Sequence, residues 1–232
     1  MTTPLARLQK SMIEKNLTYY LIPSEDPHQS EYVDDHYKCR QFISGFTGSS
    51  GAVLAEQAES RLWTDGRYFT QAEAQIDPEQ MKLMKMGVSG VPTILEYLTE
   101  HLSEGDVLSL NGRMINTAYG RKLSRLAASK KAVLETDHTL AEDLWTGRPD
   151  AAASPIFIHE DIYAGESVPS KLKRIRSCME TVSASAHFIA SLPDIAWIFN
   201  LRGNDMPCTP LFYSYAWITQ ETVSYTHLTL PT

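Results

Sequence analysis

Apolar positions along the chain change period several times, and each change predicts an element. Leu5, Leu8 and Met12 recur at i, i+3 and i+7, one stripe of a helix over residues 3–16. Thr3 is placed to cap it, Pro4 suits the first helical position, and Asn16 is a stop. Tyr19-Tyr20-Leu21-Ile22 then reads as a short buried strand ended by Pro23. Residues 24–40 are polar and irregular. Phe69, Ala72 and Ile76 predict a helical face that ends at Asp77-Pro78, and Met81–Met86 a strand. Val91, Ile94, Leu95, Leu98 and Leu102 predict a helix, and Val107–Leu110 a strand closed by Asn111-Gly112. Tyr119, Leu123, Leu126 and Ala127 share one face of a helix capped by Thr117, followed by a strand at Ala132–Leu134. Strands that alternate with helices of about ten residues predict an α/β protein with some parallel strands.

The stretch from Phe42 to Phe69 organises this half. Gly45, Gly48 and Gly51 predict a tight loop, Ala52–Ala55 a strand, Glu56–Arg61 a polar turn and Leu62-Trp63-Thr64 a second strand. Asp65-Gly66-Arg67 then opens a helix, with Asp65 as its cap. A hairpin in the middle of an alternating pattern makes the sheet mixed.

Gly147–Ser154 is poor in bulky residues and reads as an interdomain linker. Beyond it the pattern restarts. A helix over Lys171–Ser183 carries Leu172, Ile175, Met179 and Val182 on one face, with Ser170 as cap. A strand at His187–Ser191, a turn at Pro193-Asp194, the segment Ile195–Leu201, a glycine turn at Arg202–Asp205 and an apolar strand at Leu211–Thr219 follow. The order repeats that of the first 55 residues. The expected organisation is one domain over 1–150, an incomplete second domain of similar fold over 151–222, and a tail, 223–232, without Asp, Glu, Lys or Arg and without a period.

Composition excludes more than it assigns. With 21 Lys and Arg against 28 Asp and Glu, the net charge of −7 argues against nucleic-acid binding by phosphate neutralisation. No apolar run approaches the roughly 20 residues of a membrane span, and the N-terminus has no apolar signal core. Three cysteines without a CxxC suit free thiols and a cytoplasmic protein. The glycine loop feeds a strand and not a helix, so it does not suit phosphate. Ser49 and Ser50 lack a G-x-S-x-G elbow. The seven histidines form no HxH or HExxH, and Asp34-Asp35-His36 reads as a solvated loop. Asp65-Gly66-Arg67-Tyr68 is the most suggestive element: a turn first, and second a place where Arg67 meets a partner subunit or a substrate carboxylate. The residues by themselves show no self-contained active site.

Pro23-Ser24 with His28–Tyr32, Phe42–Ser49 and Trp63–Phe69 closely resemble the N-terminal domain of the Xaa-Pro aminopeptidase (aminopeptidase P) family, a creatinase-like fold. Leu192–Asp205 and Pro210–Ala216 are similar to the second domain of its three-domain form. The resemblance covers residues 5–222 and implies a cytosolic metallopeptidase that acts on peptides with proline at the second position. It implies two divalent metal ions, usually manganese, held in a third, pita-bread domain. Metal-activated hydroxide supplies the nucleophile there. It places no catalytic or metal residue in this chain. It implies a homodimer in which the N-terminal domains help close a neighbour's active site, with Trp63, Arg67 and Tyr68 at the matching positions. A creatinase or prolidase relative and a non-enzymatic interaction module of the histone-chaperone type are the alternatives. The tail VSYTHLTLPT resembles translated sequencing adapter, so residues 223–232 are expected to be non-native and to pack poorly.

Overall fold

A computed structural model describes residues 2–227, and the chain divides into two compact units, Met1–Asp150 and Ala151–Thr232. The first unit runs α1 (Pro4–Glu14), β1 (Tyr19–Pro23), α2 (Cys39–Ser44), β2 (Ala52–Glu56), β3 (Ser60–Thr64), α3 (Phe69–Gln75), β4 (Met81–Lys85), α4 (Ile94–His101), β5 (Val107–Leu110), α5 (Thr117–Lys130), β6 (Val133–Glu135) and α6 (Leu140–Asp143). Local chemistry sets the helix starts. The Thr3 hydroxyl accepts the Ala6 N–H, with Pro4 in the first turn. Thr93 and Glu96 form a reciprocal capping box on α4. Two predicted caps move. Asn116, not Thr117, caps α5 by accepting the Tyr119 N–H. Asp65 caps nothing, because α3 begins four residues later at Phe69. The helix α2 lies where sequence predicted only loop. At six residues it is too short to show a period, and Gly45 ends it in the left-handed region at φ +72°.

Six strands form one mixed sheet in the order β4-β3-β2-β1-β5-β6. Only β2 runs against the rest, paired antiparallel to β1 and β3, while β3–β4, β1–β5 and β5–β6 are parallel. Period-two alternation divides the side chains between two cores. Tyr20, Ile22, Val53, Ala55 and Leu62 pack with Leu5, Leu8 and Met12 of α1 and Ile43 of α2. Tyr19, Leu21, Leu54, Trp63, Leu108 and Leu110 pack with Tyr97 and Leu98 of α4 and Leu123 of α5. Because both faces are covered, the central strands read as continuous apolar runs.

The second unit runs β7 (Phe157–Ile158), α7 (Asp161–Ala164), α8 (Val168–Thr181), β8 (Ala186–Ile189), α9 (Leu192–Ile198), β9 (Leu201–Arg202), β10 (Ser214–Thr219) and β11 (Val223–His227). Its antiparallel sheet has the order β11-β10-β8. Ile189, Ala216 and Ile218 face Met179 of α8 and Ile195 and Ile198 of α9, while Phe188 and Trp217 on the opposite face stay exposed. Ser167, not Ser170, precedes α8, and the expected turn at Pro193-Asp194 is the first turn of α9. Proline is tolerated there because the first N–H groups of a helix lack acceptors in any case. Lys171 is buried, and its ammonium donates to the Trp197 carbonyl at 2.7 Å and the Asn200 Oδ1 at 2.6 Å. Asp205 accepts the Ser154 N–H and hydroxyl and the Tyr213 N–H. The tail residues 223–227 pair with β10 as an edge strand, with Ser224, Tyr225 and Thr226 exposed. Leu228 and Leu230, on which the expectation of poor packing also turned, lie outside the described residues.

Cysteine burial gives a direct check. Cys39 is buried and burial pushes its thiol up to about 12, whereas Cys178 and Cys208 are exposed. The thiolate is the reactive form. A thiol reagent applied to the native chain should therefore modify two cysteines quickly and the third only on unfolding. Quick modification of all three would contradict the buried placement of α2.

Candidate functional site

With β1, β3, β4, β5 and β6 parallel in direction and β2 reversed, five carboxyl ends and the start of β2 share one edge of the first unit. Loops after parallel strands are where α/β sheets place ligands and partners. The sequence-nominated residues Arg67 and Tyr68 lie on this edge.

The glycine loop is held from behind by Arg40, which is buried. Its Nε donates to the Ser24 hydroxyl at 2.8 Å, Nη1 to the Phe46 carbonyl at 2.7 Å, and Nη2 to the Gly48 carbonyl. The guanidinium carbon stands 4.8 Å from the Phe46 ring centroid. Burial lowers its pKa to about 10. The loop therefore points carbonyl oxygens at an internal cation, the opposite of a phosphate cradle, which points N–H groups at an anion. The Ser24 hydroxyl also donates to the Gly51 carbonyl at 2.5 Å, and the Thr64 hydroxyl to the Ser50 carbonyl at 2.7 Å. Those two bonds join the ends of β1 and β3 through the loop.

At the surface, Asp65 accepts the Arg67 backbone N–H at 3.0 Å and grips the guanidinium with both oxygens, from Nε at 2.9 Å and Nη2 at 2.8 Å. That fork holds the Asp65 carboxyl well below the usual carboxylate range. Arg67 remains exposed and lies 5.2 Å from the Tyr68 ring centroid. The Tyr68 hydroxyl pairs with the Ser49 hydroxyl at 2.7 Å. Arg67 and Tyr68 thus form one preorganised surface pair. Trp63 is not part of it. Its ring is 1% exposed, its Nε1 donates to the Pro92 carbonyl at 2.8 Å, and it meets Tyr97 edge-on at 5.7 Å.

Trp63 instead contributes to the wall of a cleft of about 300 Å³ at the same edge. Leu21, Pro23, Ile94 and Ile115 continue the apolar lining, and Glu25, Gln29, Asn116 and Tyr119 supply its polar groups. Glu25 is itself exposed, and the protein packed around it still raises its carboxyl above the ordinary value through partial desolvation, offset in part by backbone N–H groups and by Arg40. Burial, with Glu25 adding to it, pushes the Tyr119 hydroxyl up to about 12. Sequence reading did not find Arg40, Glu25 or Tyr119. Nothing local marks them: Arg40 acts only once the loop at Phe46–Gly48 folds back on it beside Ser24, and Glu25 and Tyr119 line one cleft only through the sheet.

The remaining nominated chemistry is structural. Asp34 caps the short 3-10 turn at Asp35–Tyr37, and Asp35 pairs with Lys38. Ser49 has a tyrosine partner and not a base. Among the described residues no group of three or more His, Cys, Asp or Glu is placed to hold a metal ion, and no helix is long and apolar enough to cross a membrane.

Comparison with known proteins is consistent over most of the chain. Residues 4–142 match one family model of the creatinase/prolidase N-terminal domain, and residues 147–229 match a second. The chain is similar to "Probable Xaa-Pro aminopeptidase P" of Talaromyces stipitatus, 40% identical over 221 residues that make up 94% of this chain and 34% of that protein. It is 39% identical to the protein of the same name from Aspergillus niger, over 94% of this chain and 36% of that one. Its structure is similar to the crystal structure of X-prolyl aminopeptidase from Caenorhabditis elegans, described as a cytosolic enzyme with a di-nuclear active site. The TM-score is 0.89 at 31% identity, over 96% of this chain and 38% of that chain. The chain spans about a third of the length of these curated relatives.

Proposed function

The chain belongs to the creatinase/prolidase N-terminal domain family, and from that premise we propose that it is the N-terminal part of a metal-dependent Xaa-Pro aminopeptidase, whose catalytic domain lies outside it. The observation that carries this reading is the continuity of the likeness. One enzyme matches 96% of the chain at a TM-score of 0.89, so both units are accounted for by a single protein. The whole protein removes an N-terminal residue that precedes proline, in the cytoplasm, using two divalent ions, which the family resemblance makes manganese. The described residues do not fit a metal site, so no step of that reaction is assigned to them. The metals belong to residues of the parent protein beyond this chain.

On this reading the first unit is a positioning module. Arg67, fixed by Asp65 and backed by Tyr68, faces the active site of a second subunit in a homodimer. Trp63 supports the edge from within. The second unit is the opening of a domain built like the first. Both run a helix, a strand, a second helix and then a strand pair, with the two-residue β9 inserted before the pair in the second unit, and the sheets read β3-β2-β1 and β11-β10-β8. In the first unit the second sheet face is covered by α4 and α5. Phe188 and Trp217 await the equivalent cover from later sequence.

The test uses both lengths. The full reading frame should release the first residue of an Xaa-Pro-Pro peptide in a manganese-dependent way, and the 232-residue chain should not. Release by the short chain, or metal-independent release by the long one, would defeat the proposal. In the full-length dimer, Arg67→Ala should lower kcat/KM about tenfold. It should leave thermal stability nearly unchanged, because solvent screens an ion pair this exposed and little of its attraction reaches the folded state. An unchanged kcat/KM would remove Arg67 from the neighbour's site.

A further inference from the structure

We infer that the cleft at the strand ends of the first unit binds a primary ammonium ion carried on a small apolar body. Glu25 holds the ammonium, and the apolar body lies against Leu21, Trp63 and Ile115. The inference stands on this chain alone and is independent of the peptidase reading.

Charge selects the class. Among the described residues that line the cleft, Glu25 carries the only formal charge. The nearby cation, Arg40, already donates to Ser24, Phe46 and Gly48 and leaves the carboxylate without a direct ion pair among the described residues. An anionic ligand would meet like charge. A purely apolar ligand would cover the polar groups of the rim without pairing them, which costs free energy.

An ammonium group has three donors and no acceptor, and the rim offers acceptors to match. Glu25 has its carboxylate and Tyr119 its phenolic oxygen. Gln29 has a side-chain carbonyl whose recorded donor is Asn116 at a long 3.5 Å. The Gln29 amide end is occupied, donating to the Asp26 carbonyl at 3.1 Å and the Met114 carbonyl at 3.3 Å, so its oxygen is the end left for a ligand. Size selects the body. A cavity of about 300 Å³ is at the small end of ligand sites. The indole of Trp63 is already fixed by its bond to Pro92, so the wall is preformed.

Isopentylamine is the probe, with isopentanol as the neutral molecule of the same shape. Both are titrated into the 232-residue chain and followed by the indole N–H resonance of Trp63, assigned by its loss in Trp63→Phe. Saturable shifts are expected for the amine, with isopentanol at least about tenfold weaker. Glu25→Gln should weaken the amine by a similar factor, and its unchanged circular dichroism would show that the fold persists. A leucyl tripeptide and leucinamide form two further arms. Binding of the tripeptide as tight as that of the amine assigns the site to chain N-termini, and binding of the small amines alone assigns it to free amines. Equal binding of amine and alcohol, no saturable shift with either, or full retention of amine binding in a folded Glu25→Gln would overturn the inference.

Discussion

Arg40→Met is expected to destabilise the first unit by about 3 kcal/mol or more, because it strips charge-assisted donors from a buried set of neutral acceptors. Methionine matches the aliphatic stem, so the loss isolates the guanidinium. Three acceptors lose their donor at once: the Ser24 hydroxyl and the Phe46 and Gly48 carbonyls. Buried acceptors left unpaired each cost on the order of 1–3 kcal/mol. Arg40→Lys should recover only part of the loss, because an ammonium on a flexible stem cannot span three oxygens set in a planar fork. Hydrogen exchange at the amides of β2 and β3 reads the first unit separately from the second. Exchange in Arg40→Met within about 1 kcal/mol of the unsubstituted chain would mean that the glycine loop is held by something other than this side chain.

Gly51→Ala should be nearly as costly, for a steric reason. A Cβ at position 51 would sit 2.5 Å from the Trp63 carbonyl oxygen, and the backbone φ is +154°. The obstacle is main chain within a paired ladder, where Ala52 faces Trp63 and Val53 faces Leu62. Relief requires moving β3, and with it Trp63 and its bond to Pro92. Strain and overpacking of this kind cost about 1–3 kcal/mol each. Gly66→Ala is the control. Its nearest neighbour would be a Phe69 ring carbon at 3.8 Å, and its φ is ordinary, so it should stay within about 0.5 kcal/mol of the unsubstituted chain. Thermal unfolding of the two variants side by side decides the matter. A Gly51→Ala protein as stable as Gly66→Ala would rule out the close approach of β2 and β3.

Much of the first unit was legible because period and punctuation agreed. Leu5, Leu8 and Met12 mark α1 by their spacing, and the runs at Tyr19–Ile22 and Val107–Leu110 mark strands by being apolar without alternation. The misses share a cause. Thr117 and Asn116 are both competent caps, and only the backbone path decides which stands outside the helix. Ser167 and Ser170 pose the same choice, while α3 starts after Tyr68 without a side-chain cap bond, which no capping signal could announce. Helix α2 escaped notice because six residues carry too little periodicity to outweigh the glycines that follow.

The candidate site divides along the same line. Arg67 and Tyr68 were found because Asp-Gly-Arg is a turn signal beside a strand, and such signals are local. Trp63 was nominated with them on sequence adjacency, yet alternation along β3 turns its ring inward while the turn carries Arg67 out. Arg40, Glu25 and Tyr119 lie in polar or helical stretches that look ordinary. Their roles depend on neighbours 16, 8 and 6 or more positions away, as in the bonds from Arg40 to Ser24, Gly48 and Phe46.

By itself, then, the sequence determined the mixed α/β class, the longer helices and the apolar strands of the first unit, and the family to which the motifs point. Each of these follows from short-range patterns of size and polarity. The tertiary structure alone decided which cation is buried, which aromatic ring faces inward, and that a carboxylate, a tyrosine and an indole share one cleft. Those facts depend on which strand lies beside which. Sheet order is set by burying two apolar faces at once, a property of the whole unit and of no single segment.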